Sequence, residues 1–543
     1  MTILVYSCNR FRGESDILII KREIQRLGAV ASLCFCGNGE DEMCFNNDGS
    51  MRSTRIMGLL VGGLLLFFVI SCSPFAPKVR TAPAGELPET FALYLPGPEK
   101  PDQWWEAFNA PELDALIAEA LSGSFTLREA WARLSQARAL AVKAGADLYP
   151  GLEITSGASS SRMRSEKSVG GRTTSSSESY SLGLAAGYEL DLWGRIRSEQ
   201  EAAVLDATAT REDLNAAAMT LAAGVTEAWI GIIAKQTERD ILDRQLEINR
   251  TYLELVELRF RKAMASALDV YQQRQIVEKV KAEVPLVEKE EQLLRHRLAL
   301  LLGKLPRTEL AITARMLPEP APIPDTGLPV ELLAARPDVR AAGLRLRAAD
   351  WQVAAARANR LPRINLSASS QYASSAIDAI FHNWIISLAA SLTAPLFDGN
   401  RRKAEVDRTV AVVEEHVSVY QRTVYTAIKD VEDALVSEEK ELRHIEALTA
   451  EMEAAQRALT EAREQYLKGL KDYLPVLTQL LKVQELEITL LKRKQNLLTN
   501  RISLYRALGG TWTERLRDRA GIDRDGIVAG ETTYTGVRSY ADR

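Results

Sequence analysis

The sequence predicts a mainly α-helical protein that also carries four β-strands long enough to cross a bilayer, with the whole plan repeated twice along the chain. Three observations lead there. Apolar residues make up 46% of the composition, carried by Ala and Leu, while aromatics reach only 6%, the balance of long helices rather than of a compact mixed domain. Short runs alternate apolar and polar residues with a period of two. The second half of the chain overlays on the first at a nearly constant offset. Charged residues are 26% and the net charge is −4, which fits solvated helix faces and speaks against a basic nucleic-acid binder.

At the amino end, residues 1–50 read as an upstream extension that is not part of the mature protein, with Met51 the expected start. Cys8, Cys34, Cys36 and Cys44 fall within it, without a His or further Cys to complete a zinc-like ligand set. Residues 51–71 have the form of a signal peptide: Arg52 and Arg55, an apolar stretch from Ile56 to Ile70, then Ser71. That stretch is shorter than the ~20 residues of a membrane-spanning helix. Val69-Ile70-Ser71-Cys72 has the form of a lipobox, so Cys72 is the expected acylated first residue of the mature chain and the start of a lipidated tail over 72–110. With one cysteine left for the body, no disulfide framework holds it together.

The repeat sets the domain plan, with copies at 111–310 and 336–512, a Pro-rich linker at 311–335 and a polar tail at 513–543. Val225-Thr226-Glu227-Ala228 faces Val431-Glu432-Asp433-Ala434, Lys262 faces Lys468, and Leu302-Gly303 faces Leu508-Gly509, all 206 residues apart. Gly194 faces Gly399, and Tyr149-Pro150 faces Leu361-Pro362. Between its Pro and its Gly the first copy has seven extra residues, expected to lie in one loop.

The strands are expected at about 151–160 and 180–191 in the first copy and 364–372 and 384–395 in the second. Leu152, Ile154 and Ala158, then Tyr180, Leu182, Leu184, Ala186, Tyr188 and Leu190, all occupy even positions. The same parity holds for Ile364, Leu366 and Ala368 and for Trp384, Ile386, Leu388 and Leu392, with Ser, Thr, Asn and Gly between. About 9 to 11 residues suffice for a tilted membrane strand, and the aromatics lie near the ends, where an interfacial girdle belongs. Four strands cannot close on themselves, and open edges are not tolerated in lipid. More than one chain is therefore required.

Beyond Gly194 and Gly399 the helices begin. Arg195 to Lys262 contains no proline, and neither does Arg401 to Lys468. The return stretch from Leu268 to Leu302 is expected to break at Pro285. Small residues such as Ala202, Ala209 and Ala216–Ala218 allow close packing, so each copy reads as a long coiled-coil hairpin. The hairpin tips span Phe260–Val270 and Tyr466–Val476, with Gly469 placed to end a helix in a left-handed conformation and Pro475 to start the next one.

Taken together, Cys72, Trp104-Trp105-Glu106-Ala107-Phe108, Pro111-Glu112-Leu113-Asp114-Ala115-Leu116-Ile117, the two Pro turns, Asp191-Leu192-Trp193-Gly194-Arg195 and Ala507-Leu508-Gly509-Gly510-Thr511-Trp512 resemble the TolC/OprM outer-membrane efflux family. The resemblance covers about Cys72 to Trp512. It implies a homotrimer with a twelve-stranded barrel in outer-membrane lipid of a Gram-negative bacterium, continuing into a twelve-helix periplasmic tunnel. It also implies a periplasmic adaptor (membrane fusion) protein that meets the tips and an inner-membrane pump that supplies the energy. The adaptor contact would fall on Lys262, Ala263 and Ser266 and on Lys468 and Gly469, with Ala263 standing where the family usually has Gly. Family members often close the periplasmic aperture with acids in a Leu-Asp-Val-Leu-Asp pattern. Leu474-Pro475-Val476-Leu477-Thr478 lacks both acids, leaving Leu474 and Thr478, with Asp472 and Asp269 as charged candidates for the gate.

A passive duct for drugs or other toxic compounds needs no catalytic group or cofactor. Consistent with that, no Walker loop, His-Glu-x-x-His or nucleophile elbow occurs, and His296, His382, His416 and His444 are scattered as helix-surface or loop residues, so neither an enzyme nor a resident metal is expected. Met163, Met219, Met264, Met316 and Met452 are too dispersed for a copper relay. A type I protein-secretion duct and a non-conducting coiled-coil envelope lipoprotein are the alternatives; polar alternate strand faces separate a lumen from a tether.

Overall fold

The computed structural model describes residues 74–78, 88, 90–92, 103–167, 171–320, 322–327 and 329–516. The extension at 1–50, the signal segment at 51–71, Cys72 and most of the 513–543 tail lie outside the described residues. Helices α1 (Pro111–Gly123) and α2 (Phe125–Ala146) lead into strands β1 (Gly151–Lys167) and β2 (Gly171–Leu190), followed by the long helix α3 (Arg195–Arg261) and its return α4 (Ala267–Leu301). The second copy follows the same order: α5 (Pro337–Ala358), β3 (Arg363–Ser374), β4 (Trp384–Thr393), α6 (Arg401–Leu467) and α7 (Leu474–Ala507).

Duplication is visible in lengths and in backbone. Both α3 and α6 have 67 residues, about 100 Å each at 1.5 Å per residue. Positive φ recurs at matched positions, at Gly194 and Gly399, Ala263 and Gly469, and Gly303 and Gly509. At the last pair a side chain has no space: a Cβ on Gly303 would lie 2.3 Å from the carbonyl oxygen of Gly123, and one on Gly509 2.4 Å from that of Ala335. In each copy, then, the C-terminal end of the return helix is pressed against the backbone where the copy begins.

Three expectations are corrected. The seven extra residues of the first copy do not form a loop: β1 and β2 run to 17 and 20 residues, well past the expected 160 and starting well before 180, against 12 and 10 for β3 and β4. Pro285 does not break α4, which passes through it unbroken. Both Pro285 and Lys281, whose carbonyl loses its helical partner, face solvent, so water can satisfy the orphan group. Thr513, the first residue of the expected polar tail, is buried beside Trp512.

The main core lies midway along the helices. Trp104 stacks on Tyr505 at 5.5 Å and Trp105 meets Trp512 edge-on at 4.9 Å, so segments from the two ends of the chain close over the Ala/Ile-rich middle of α3. Glu112 of α1 fastens the inter-repeat linker by accepting from Thr313 N at 3.1 Å and Thr313 Oγ1 at 2.7 Å. Between α6 and α7 lies a buried ion pair: the Arg501 guanidinium donates to both oxygens of Glu438, through Nε at 3.1 and 3.0 Å, and through Nη1 to the carbonyl of Pro322. With side-chain exposures of 4% and 1%, neither charge has water to fall back on. Glu438→Ala strands the guanidinium and is expected to cost about 3–5 kcal/mol, measured by denaturant unfolding; a loss within ~1 kcal/mol would mean that the pair is solvated.

Candidate functional site: the sheet face and the helix tips

The four strands form one antiparallel sheet in the order β1-β2-β3-β4. Its register keeps even residues opposite even ones at every interface: Ile154 lies opposite Leu184, Leu184 opposite Ser370, and Ser370 opposite Ile386. The parity read within each strand therefore assembles into two continuous faces. One carries Leu152, Ile154, Leu182, Leu366, Leu388 and Leu392, and is exposed; Leu388 is 82% and Leu152 72% accessible. The other carries Glu153, Thr155, Ser367, Ser369, Gln371 and Ser387, with Ile385 as an apolar exception. A broad exposed apolar face backed by a polar one is what a lipid boundary around a wet lumen requires. Among the described residues both outer edges, β1 and β4, are unpaired.

Below the sheet, the strand-to-helix turns fix the strands onto the helices. Asp191 caps α3 by accepting from the backbone N of Ile196 and Arg197, both at 3.0 Å. In the second copy Asp398, at a different offset from the Gly, accepts from Arg402 N at 3.3 Å. The Trp193 indole donates to the carbonyl of Pro362 at 2.7 Å, tying the first-copy turn to the second.

At the far end, the two hairpin tips of one chain meet. Each closes the same way, with Met264 N donating to Arg259 O and Leu470 N to Gln465 O, the six-to-one bond of a left-handed helix terminus. Gly469 adopts this conformation freely, whereas Ala263 holds it at φ 61°. Lys262, Ala263, Ser266, Lys468 and Gly469, the expected adaptor contacts, are all exposed. Of the expected gate residues, Leu474 opens α7 and is 57% exposed; Thr478 turns back to donate to the Leu474 carbonyl at 2.9 Å; Asp472 faces solvent. Asp269 is occupied locally: it accepts from Ser266 N at 2.9 Å while its own N donates to Ser266 Oγ at 3.2 Å, a capping box at the start of α4.

Behind these exposed positions runs a buried polar chain that sequence reasoning missed. Tyr473 OH donates to Gln273 Oε1 at 2.7 Å, Gln273 Nε2 to Asn249 O at 2.9 Å, Asn249 Nδ2 to Gln484 Oε1 at 3.2 Å, and Gln245 Nε2 to Gln484 O at 3.0 Å. It stitches α3 and α4 to α7, so one hairpin cannot slide along the other without breaking it. Burial pushes the Tyr473 hydroxyl well above the ordinary tyrosine range, so it stays a donor. Beside it, Arg259 lies 4.2 Å over the Tyr466 ring and donates to the Tyr466 carbonyl at 3.1 Å. The signal available in sequence was faint: Asn249, Gln273 and Gln484 are polar residues at core-facing helical positions. Among the described residues no group of three or more His, Cys, Asp or Glu is disposed to hold a metal.

A family model described as outer membrane efflux protein matches residues 116–304 and 328–510. The pyoverdine export outer membrane protein OpmQ of Pseudomonas aeruginosa is 35% identical over 78% of this chain and 89% of its own length. The toluene efflux pump outer membrane protein TtgF of Pseudomonas putida is 30% identical over 81% and 92%. Among solved structures, the outer-membrane channel OprN is similar with a TM-score of 0.75 and 28% identity, covering 81% of this chain and all of that one.

Two outcomes follow from the tips. Ala263→Gly relieves a left-handed alanine and is expected to stabilise the first hairpin by about 1 kcal/mol, read from urea unfolding; destabilisation would mean that Ala263 is not left-handed. Tyr473→Phe leaves the buried Gln273 amide oxygen without its donor, a loss of about 1–2 kcal/mol. Backbone amides of Tyr466–Leu480 should then exchange with deuterium roughly tenfold faster, and unchanged protection would separate the hydroxyl from tip stability.

Proposed function

The chain belongs to the outer membrane efflux protein family, and from that premise we propose how its parts divide the work of an outer-membrane efflux channel. Three copies close one barrel: β4 of each pairs with β1 of the next, and three times four strands gives twelve. The helices α3, α4, α6 and α7 continue the lumen through the periplasm. The tips carrying Lys262, Ala263, Ser266, Lys468 and Gly469 seat on a periplasmic adaptor protein, which connects the duct to an inner-membrane pump. Acylated Cys72 anchors each chain in the outer membrane. The cargo is small molecules; relatives named for pyoverdine export and toluene efflux support that over secreted protein.

The observation that carries this reading is the sheet, with one apolar exposed face, one polar face and two unpaired edges. Lipid does not tolerate a free strand edge, and a non-conducting tether has no use for the polar face. Energy comes from the partner pump; the duct contributes a path and an aperture. Leu474, exposed at the start of α7, is the proposed constriction, closing by excluding water from an apolar ring, while Thr478, Asp472 and Asp269 line its approach.

The test is planar-bilayer conductance of the purified protein. Wild type is expected to insert and show a low-conductance closed state, and Leu474→Ser to raise the closed-state conductance several-fold. Insertion with the closed state unaltered in Leu474→Ser would remove Leu474 from the gate. A protein that binds bilayers without ever conducting would favour the tether.

A further inference from the structure

The surplus length of the first hairpin lies beyond the sheet. β2 is paired with β3 only from Tyr180 to Leu190, whereas β1 and β2 stay paired through Lys167 opposite Gly171. Residues 159–167 and 171–179 therefore form a two-stranded ribbon, about 30 Å long at ~3.4 Å per residue, extending from the edge of the sheet opposite the helices. With the helices in the periplasm, this edge faces the cell exterior.

The ribbon keeps the parity of the sheet. Ser161 Oγ lies 2.8 Å from Ser177 Oγ, and Ser165 Oγ 3.1 Å from Thr173 Oγ1, so the odd residues zip together on the side that continues the polar face. On the even side, which continues the lipid-facing surface, the apolar band ends with Ala158 opposite Tyr180. The Tyr180 hydroxyl donates to Glu178 at 3.3 Å, and the next positions outward on β1 are Ser160, Arg162 and Arg164, with Ser176 and Thr174 opposite the arginines. Both arginines are exposed, and the next even position outward is Glu166, opposite Arg172. A ribbon that only lengthened the lumen would have no reason to turn its cations to the membrane side.

Height decides what they meet. Arg162 and Arg164 lie four and six residues beyond Ala158, about 14 and 20 Å along the strand, or roughly 10 and 14 Å along the membrane normal at a tilt near 45°. Both backbone positions lie above the headgroup layer, which extends roughly 5–8 Å past the hydrocarbon core, and a long Arg side chain can lean back down to its phosphates. Guanidinium groups bind phosphate oxygens in bidentate fashion.

We propose that Arg162 and Arg164 form an outward-facing cationic rung that binds the phosphate groups of outer-leaflet lipid, holding the channel against the surrounding headgroups. The proposal rests on the barrel reading above. The test uses the full protein in detergent, incubated with bisphosphorylated lipid A or with lipid A stripped of phosphate, and counts retained lipid by native mass spectrometry. Wild type is expected to retain the phosphorylated form at least tenfold better, Arg162→Gln/Arg164→Gln to lose most of that preference, and Arg162→Lys/Arg164→Lys to keep part of it. Ser161→Ala/Ser177→Ala, on the opposite side of the same ribbon, should leave retention unchanged.

Equal retention of both lipids by wild type, undiminished retention in the double Gln variant, or an equal loss in the Ser variant would each overturn the proposal. Displacement of the lipid by excess inorganic phosphate alone would also do so, because it would identify a free-anion site. Bilayer insertion of every variant is scored in parallel: a wild type that does not insert refutes the barrel reading itself, while insertion with phosphate-independent retention refutes only the rung.

Discussion

The constraint on which this molecule turns is that hydrocarbon offers no hydrogen bonds, so every strand edge that enters it must find another strand. The described residues of one chain pair as four strands and leave β1 and β4 open. Everything above and below the sheet is organised around that incompleteness. The even-to-even register keeps one face apolar through all three strand pairings, and a slip of one residue at any of them would turn a whole strand's leucines into the polar face. The turn at Trp193, bonded to the Pro362 carbonyl, ties the two hairpins together at their base.

Duplication solves the geometry once and reuses it. The positions that could not vary freely between copies are backbone positions: Gly303 and Gly509 need both a left-handed φ and the absence of a Cβ, because a carbonyl lies within 2.4 Å of where that atom would be. Where the demand is weaker, the copies diverge. Asp191 and Asp398 cap corresponding helices from different offsets, and Ala263 occupies a left-handed position that Gly469 fills without strain. The pattern of what is kept follows steric necessity rather than side-chain identity.

That distinction also sets how much was legible in the sequence. Period-two runs such as Tyr180 to Leu190 announce a strand because apolar and polar residues contrast. Ser159-Ser160-Ser161 and Ser175-Ser176-Ser177 offer no contrast, so the sequence carries no strand signal over most of the outer half of the first hairpin although its backbone is paired. The long helices and their turns were plain from composition, proline spacing and Gly469. The clasp of Trp104 on Tyr505 and the ion pair of Arg501 with Glu438 were not, since each joins residues far apart in sequence. At the tips the exposed residues are legible and the buried ones are not: Leu474 and Asp472 stand out in a turn, while Tyr473 between them takes its meaning from Gln273, 200 residues away.

The tip combines two kinds of interaction that answer different needs. An apolar constriction closes by excluding water and is nearly indifferent to register, since one leucine packs much like another. The buried chain from Tyr473 through Gln273 and Asn249 to Gln484 is the opposite: its donors and acceptors match at one alignment of the hairpins and are left unsatisfied at any other. Without the acids that the family pattern would place at Pro475 and Thr478, closure in this chain cannot rely on a carboxylate ring there. In the gate proposed above, Leu474 provides exclusion and the polar chain provides alignment. Opening must then keep that chain intact, moving α3, α4 and α7 together near the tips, or break it and bear the cost of unpaired buried amides. The first path is the less costly, so the proposed gate has the paired hairpins of one chain, rather than a single hairpin, as its moving unit.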